Sequence, residues 1–161
     1  MLKERFSDVT ITDLPPLRVA TFRAISRAPE DDALRVLARW AVGAGFTAMP
    51  RSFGFEVAVS SRQSEGGLRG YEVWLVVPEG VEESPPVTIR DFAGGRYATL
   101  TIHHPFDDPS AAIPAGWHTL HEWVTARRLV PLGEPPYLEE IVPGADGQDM
   151  ILYHPVHRAP A

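Results

Sequence analysis

The amino-acid sequence predicts an α+β fold built from two similar halves, each with the element order β-β-α-β-β. Three observations predict it: a strand–turn–strand motif occurs twice, a tryptophan-containing helical segment follows each copy, and an apolar strand closes each half. Antiparallel sheets packed with two main helices would satisfy this order. We expect the halves to be related by an approximate twofold axis around a central pocket, because ligand sites favour interfaces between packed units.

The repeated strand–turn–strand motif is the clearest sign of an internal duplication. Residues 9–14 read VTITDL and precede RVATF at 18–22, whereas residues 87–92 read VTIRDF and precede RYATL at 96–100. The offset between the copies is 78 in both blocks. Alternating β-branched residues, with Pro-Pro or Gly-Gly between the strands, predict a hairpin in each half.

A helix is expected after each motif. The first should run from about Pro29 to Gly43, because proline suits an early helical position, acidic residues follow it and glycine ends it. The second should run from about Pro114 to Arg128. At an offset of 83, the Leu and Trp of the first helix match those of the second. The predicted inward-facing residues are Leu34, Leu37, Ala38 and Ala41 in the first helix, and Trp117, Leu120, Val124 and Trp123 in the second.

Later segments continue the duplication. Phe55-Glu56 matches Leu138-Glu139 at the same offset of 83, and the closing strands at 74–78 and 151–155 correspond at 77. We therefore predict a single domain over residues 1–161, with halves at about 8–78 and 86–157.

Composition excludes several classes of protein. No apolar run approaches the ~20 residues of a membrane span, and no apolar stretch follows the charged N-terminus as in a signal peptide. The chain has no cysteine, which excludes disulfides, thiolate zinc sites and a cysteine nucleophile. A formal charge of −6 argues against nucleic-acid binding. These features predict a cytoplasmic protein with no membrane or direct nucleic-acid partner.

The ordered segments resemble the GyrI-like small-molecule-binding domains, which include DNA gyrase inhibitor-like proteins and effector-binding domains of multidrug-responsive transcription activators. The likeness covers about residues 8–157 and rests on VTITDLPPLRVA, RSFGF, YEVWLVVP, FAGGRYA, GWHTLHEWV, YLEEIV and LYHPV. It implies a duplicated module with a central pocket for organic, often lipophilic and cationic, ligands. No helix-turn-helix is recognisable before residue 9, so we expect any regulatory role to act through another protein.

The resemblance also implies an acidic pocket residue near the start of the penultimate strand, and Glu139 is the match. Leucine before it and Ile141 after it depart from the aromatic residues usual there, which leaves the choice between Glu139 and Glu140 open. The repeat match to Glu56 favours Glu139. Alternatively, Glu139 faces solvent or pairs with an arginine.

Aromatic residues are the predicted pocket walls. The candidates are Tyr71, Tyr97, Trp117 and Trp123, together with Tyr137, which shares a strand face with Glu139. A buried carboxylate and aromatic rings would suit a cationic ligand. For any one of these rings, packing in the core is the alternative role.

Metal and cofactor sites are not predicted. His118 and His121 lie three residues apart on the second helix, but no third ligand is evident. Haem-binding SOUL proteins have a related duplicated fold, yet nothing here marks an axial ligand. Neither GxSxG nor a phosphate-binding loop occurs.

Three functions remain open at this level. The leading one is binding of a small organic molecule. A second is hydrolysis of reactive electrophiles, with Glu139 as general base and Tyr71 or Tyr97 as proton donor. A third is an inhibitor that acts through a surface on an unidentified protein partner.

Overall fold

The computed structural model describes residues 2–131 and 136–158, and it confirms the α+β class. Within these two ranges, a 3-10 helix at Leu2–Arg5 precedes three α-helices and nine strands. The helices are α1 (Pro29–Gly43), α2 (Ser61–Glu65) and α3 (Pro109–Ala126). The strands are β1 (Thr10–Leu14), β2 (Leu17–Ser26), β3 (Ser52–Val57), β4 (Arg69–Val76), β5 (Thr88–Phe92), β6 (Gly95–His103), β7 (Leu129–Pro131), β8 (Leu138–Gly144) and β9 (Gly147–Arg158).

The chain forms two compact units. Unit 1 comprises Met1–Pro15 and Gly94–Ala161, and unit 2 comprises Pro16–Ala93. The strand order is β1-β6-β9-β8 in unit 1, where β7 also pairs with β9, and β5-β2-β4-β3 in unit 2. The strand pairs within each unit are antiparallel.

The two predicted hairpins are wrong, although both turns and all four strands exist. β1 pairs with β6, with Thr10 opposite Thr99, and β2 pairs with β5, with Thr21 opposite Thr88. Pro-Pro disfavours the tight hairpin turns after β1, because those turns need positive φ and proline fixes φ near −65°. The near-identical motifs offer each strand an equivalent partner in the other repeat. Each unit therefore takes its outer strand from the other repeat.

The helices follow the predicted pattern with one shifted start. α1 has the predicted bounds, and α3 begins at Pro109 rather than Pro114, so the proline rule selected the wrong proline. α3 ends at Ala126, before Arg128, whose φ of 54° is not helical. The buried residues of α1 are Pro29, Ala33, Leu37 and Ala41, and those of α3 are Ala112, Gly116, Leu120 and Val124. All four pairs differ by 83, the predicted offset.

Helix α2 was not predicted from the sequence. Ser60 caps it by accepting a hydrogen bond from the Gln63 backbone N–H, and the Gln63 side chain accepts one from the Ser60 N–H. The spacing Ser60-x-x-Gln63 is the sequence signature of such a capping box. The helix contains no buried residue.

Candidate functional site

The two faces of the unit 1 sheet differ in their neighbours. One face packs on α3 through apolar residues that alternate along β6 and β9. The buried strand residues of this face are Ala98, Leu100, Ile102, Met150, Leu152 and Val156. The opposite face carries Tyr97, Thr99 and Tyr153, which are also buried.

The strand registers define which residues of the two units are equivalent. Val19 lies opposite Val76 in unit 2, and its repeat mate Tyr97 lies opposite Pro155 in unit 1, so β4 and β9 correspond at an offset of 79 (155 − 76). In the same way, Phe53 and Leu138 lie opposite equivalent residues, so β3 and β8 correspond at 85 (138 − 53).

The predicted offset of 77 between β4 and β9, and the predicted offset of 83 between β3 and β8, are therefore each two residues too small. A shift of two residues preserves the alternation of a strand, so the sequence pattern does not distinguish the two alignments. The equivalent of Glu139 is Gly54 rather than Glu56.

The two adjacent glutamates of β8 lie on opposite faces. Glu139 is half-buried and lies opposite Leu152, which places it on the face that carries α3. Glu140 is only 4% exposed, and the Tyr153 hydroxyl donates a hydrogen bond of 2.6 Å to its Oε1. Glu140 is thus the deeply buried glutamate of β8, whereas Glu139 is the one on the helix-bearing face.

An aromatic cluster lies beside Glu139 on that face. The Tyr137 ring centroid is 5.9 Å from that of Trp117 and 4.6 Å from that of His154. Tyr137 is 38% exposed, and Trp117 is half-buried against the α3 core. Burial raises the pKa of the Tyr137 phenol, so this group is neutral at physiological pH. Three predicted site residues, Trp117, Tyr137 and Glu139, therefore belong to one face of unit 1.

A histidine pair completes this cluster, and sequence reasoning missed it. His154 is fully buried, and its Nδ1 is 3.1 Å from the Pro155 carbonyl oxygen. Because a carbonyl only accepts, Nδ1 carries the proton and Nε2 of neutral His154 is an acceptor. His121 Nδ1, 3.1 Å away, therefore donates to that nitrogen. Burial lowers the pKa of His154, the Pro155 carbonyl partly opposes this, and His121 lowers it further.

The other predicted site residues lie elsewhere. Tyr97 is buried on the face of unit 1 opposite α3, and its hydroxyl donates to the Pro136 carbonyl at 3.1 Å. Burial raises the pKa of Tyr97 strongly. Trp123 lies on α3 with the Arg127 guanidinium 3.9 Å from its ring centroid. Tyr71 belongs to unit 2, where its ring fills the space beside Gly54.

A second buried glutamate, in unit 2, was also not predicted. Glu72 is 3% exposed, accepts hydrogen bonds from Arg23 Nε at 3.0 Å and Trp74 Nε1 at 2.7 Å, and lies 3.6 Å from Arg90. The alternation of β4 placed Glu72 and Trp74 on one face, but the two arginines come from other strands, which sequence spacing does not reveal.

The described residues contain neither a cluster of metal ligands nor a membrane-spanning helix. Within residues 2–131 and 136–158, His, Asp and Glu nowhere gather in groups of three that could hold a metal ion. In the same part of the chain, no helix has the length and apolar character that a membrane crossing requires.

Known proteins share this fold. The C-terminal domain of EcmrR superposes with a TM-score of 0.71 at 10% identity, covering 94% of this chain and 98% of that one. A hydrolase from Listeria innocua gives 0.63 at 14% identity, covering 93% and 92%. SAV2435 bound to tetraphenylphosphonium gives 0.55 at 9% identity, covering 94% of each chain. Identities this low establish the fold alone.

Sequence comparison identifies the family. No curated protein matches this chain in sequence. The family model for the GyrI-like small molecule binding domain matches residues 7–149, most of the chain. The resemblance inferred from the ordered motifs is therefore confirmed, and the chain belongs to the GyrI-like small-molecule-binding domain family.

Proposed function

We propose that this protein binds a small lipophilic molecule with a cationic or aromatic group, on the α3 face of unit 1. The proposed contacts are Glu139, Tyr137 and Trp117. The observation that carries the proposal is that the accessible Tyr137 ring joins Trp117 to His154 on the strand face that also bears Glu139. Aromatic faces beside a carboxylate suit an organic cation, because both ring quadrupole and charge attract it.

Partial burial makes Glu139 the better ligand carboxylate of the two on β8. Glu140 accepts a hydrogen bond from the Tyr153 hydroxyl on the opposite face, so one of its oxygens already has a partner within the fold. A half-buried carboxylate keeps access to solvent when no ligand is present, and a bound cation replaces that water. Family membership supports a small-molecule ligand, and the tetraphenylphosphonium complex of SAV2435 suggests a probe.

Calorimetric titration with tetraphenylphosphonium tests the proposal. We expect Glu139→Gln to weaken binding by about 1–3 kcal/mol, since it removes a charge-assisted contact. Glu56→Gln is the matched control, because it removes the same charge at an exposed position of unit 2. Equal affinity of wild type and Glu139→Gln would refute the role of Glu139. Loss of affinity in both variants would point to net charge rather than to this site.

Hydrolysis of electrophiles is the second candidate, and one observation favours it. Tyr137 has a raised pKa and lies two residues from Glu139 on one strand face, so a neutral phenol and a carboxylate are available together. Glu139 would take a proton from a water molecule, and the oxygen of that water would attack an epoxide carbon. As the carbon–oxygen bond of the epoxide breaks, Tyr137 would protonate the leaving oxygen. Mass spectrometry of an epoxide mixed with wild type, Glu139→Gln or Tyr137→Phe tests this. Diol formation that persists in both variants would exclude these residues as the catalytic pair.

A further inference from the structure

A cavity of about 470 Å³ lies wholly within unit 2, apart from the unit 1 face described above. It opens between the C-terminal part of α1 and the segment that leads to β5. Its wall consists of Val36, Arg39, Trp40, Gly43, Ala44, Glu82, Ser84, Pro85 and Pro86. The volume falls in the range of small-molecule sites, about 300–1,000 Å³.

The duplication shows what occupies the equivalent place in unit 1. The helix offset of 83 makes Trp40 equivalent to Trp123 and Ala44 equivalent to Arg127. Ala44 and Arg127 are both the C-terminal caps of their helices, with φ and ψ of −84° and 0° against −94° and 6°. In each, the cap N–H donates to the carbonyl of the equivalent tryptophan.

The side chains at these two caps differ. In unit 1 the Arg127 guanidinium lies over the Trp123 ring, 3.9 Å from its centroid. In unit 2 the cap is alanine, and Trp40 lines a cavity instead. The space next to Gly43 on its side-chain side holds no atom within 4 Å, so this end of α1 is open.

Charges on the cavity wall complement a zwitterion. Glu82 lies on the wall with Trp40, and the carbonyl end of α1 adds a negative partial charge, so a cation is favoured here. Arg39 on the same wall supplies a partner for a carboxylate. Among the described residues, neither Glu82 nor Arg39 forms an ion pair with another side chain.

We propose that this cavity is a second ligand site, which takes a small molecule with a carboxylate and a guanidinium group that stacks on Trp40, as Arg127 stacks on Trp123. The cation of the ligand takes the place that the Arg127 guanidinium has in unit 1, because Ala44 has no charged side chain. Glu82 neutralises that cation, and Arg39 binds the carboxylate. Free arginine has this chemistry and is the probe.

Titration of the protein with L-arginine, followed by the indole resonances in NMR, tests the site. We expect the Trp40 indole signal to shift. L-citrulline, whose neutral ureido group replaces the guanidinium of arginine, should bind about fivefold or more weakly because it lacks the stacked cation. Agmatine, which lacks the carboxylate, should also bind more weakly. Agmatine binding as tightly as arginine would overturn the role of Arg39, and citrulline binding equally would overturn the cation site.

Ala44→Arg is the decisive variant, because it gives unit 2 the cap residue of unit 1. The backbone already has the required conformation and Ala44 is exposed, so the variant should fold. Its own guanidinium should cover Trp40, shift the indole signal without ligand and reduce arginine affinity by about tenfold or more.

Val42→Arg is the matched control, since this substitution adds the same charge to α1. Val42 is 75% exposed and does not line the cavity. The variant should bind arginine within about threefold of wild type, because an exposed charge is well screened. Trp123→Phe should likewise leave binding unchanged, whereas Trp40→Phe should weaken it. Equal arginine affinity in wild type and Ala44→Arg would refute the proposal. Equal loss in Ala44→Arg and Val42→Arg would also refute it, because it would indicate simple charge repulsion.

Discussion

Unit 1 and unit 2 are built on one plan but use their carboxylates differently. At equivalent places, Trp74 in unit 2 and Tyr153 in unit 1 each donate a hydrogen bond to a buried glutamate. The glutamates themselves are not equivalent. Glu72 stands on the same strand as its donor, whereas Glu140 stands on the neighbouring strand β8. The hydrogen-bond donors, Trp74 and Tyr153, are therefore at equivalent positions in the two units, whereas the accepting glutamates are not.

The residues equivalent to the two arginines near Glu72 are uncharged in unit 1. Glu72 is bound by Arg23 of β2 and lies near Arg90 of β5. At the offset of 78, the equivalents of these arginines are Thr101 and Thr12 in unit 1. Unit 2 thus places cations from β2 and β5 near its buried carboxylate, and unit 1 has neutral hydroxyl residues at the equivalent positions.

The sharpest difference is at the centre of the proposed site. Glu139 of unit 1 is equivalent to Gly54 of unit 2, and Met150 is equivalent to Tyr71. In unit 2 the Tyr71 ring and hydroxyl take the space that a side chain at Gly54 would need. The same two positions therefore supply a phenol in one unit and a carboxylate in the other.

The largest expected effect concerns this exchange. We expect Gly54→Ala to destabilise the protein by about 1–3 kcal/mol, because the new Cβ would contact the Tyr71 hydroxyl and lie 2.6 Å from its Cζ. Glu139→Ala, at the equivalent position, should cost clearly less, since its side chain is only half-buried. Urea unfolding of both variants measures the difference.

Tyr71→Met is the control for that prediction, because it installs the residue of unit 1 beside Gly54. In this background the penalty of Gly54→Ala should shrink, which a double-mutant cycle detects as a coupling energy. An undiminished penalty would show that the glycine is needed for another reason, such as close approach of the backbone.

A smaller, pH-dependent effect distinguishes His154 from its unit 2 equivalent, Leu75. Burial lowers the pKa of His154, so the unfolded chain binds a proton at a pH where the folded protein does not. Stability should therefore fall as the pH drops below about 6.5, by at most about 1.4 kcal/mol per pH unit from this group. We expect His154→Leu to remove that part of the slope, leaving His121, which is exposed, to bond with water.

Thermal unfolding of wild type and His154→Leu between pH 5 and 8 tests the sign of this effect. The stability difference between the two proteins should favour the variant increasingly as the pH falls. A difference that stays constant over this range would show that His154 keeps its ordinary pKa in the folded protein.

Local patterns in the sequence predicted the elements but not their partners. The bounds of α1 followed from proline, acidic residues and glycine, and the helix offset of 83 is correct to the residue. The strand pairing was missed because the two repeats carry nearly the same motif, so each strand fits either neighbour. The equivalence of Glu139 with Gly54 was missed because a two-residue shift keeps side chains on the same face.

The candidate site was likewise predicted where local patterns sufficed and missed where it depends on contacts between distant elements. Strand alternation placed Tyr137 and Glu139 on one strand face, and helical spacing predicted that Trp117 faces inward. The sequence did not indicate which strand face meets the helix. Tyr97 was named for its residue type, yet its strand parity directs it to the opposite face from α3. The pairing of His121 with His154 joins residues 33 apart, and a contact between distant elements has no periodicity to reveal it.

The smallest expected effect tests how closely the two units are equivalent. Thr21 and Thr88 hydroxyls are 2.8 Å apart in unit 2, and their mates Thr99 and Thr10 are 2.9 Å apart in unit 1. Thr21→Val and Thr99→Val should each cost about 0.5–1.5 kcal/mol, because the exposed partner hydroxyls can bond with water instead. Chemical denaturation should show costs that agree within about 0.5 kcal/mol. A clearly larger cost in one unit would mean that the conserved threonine pair supports only that unit, and that the two copies have diverged in stability as well as in charge.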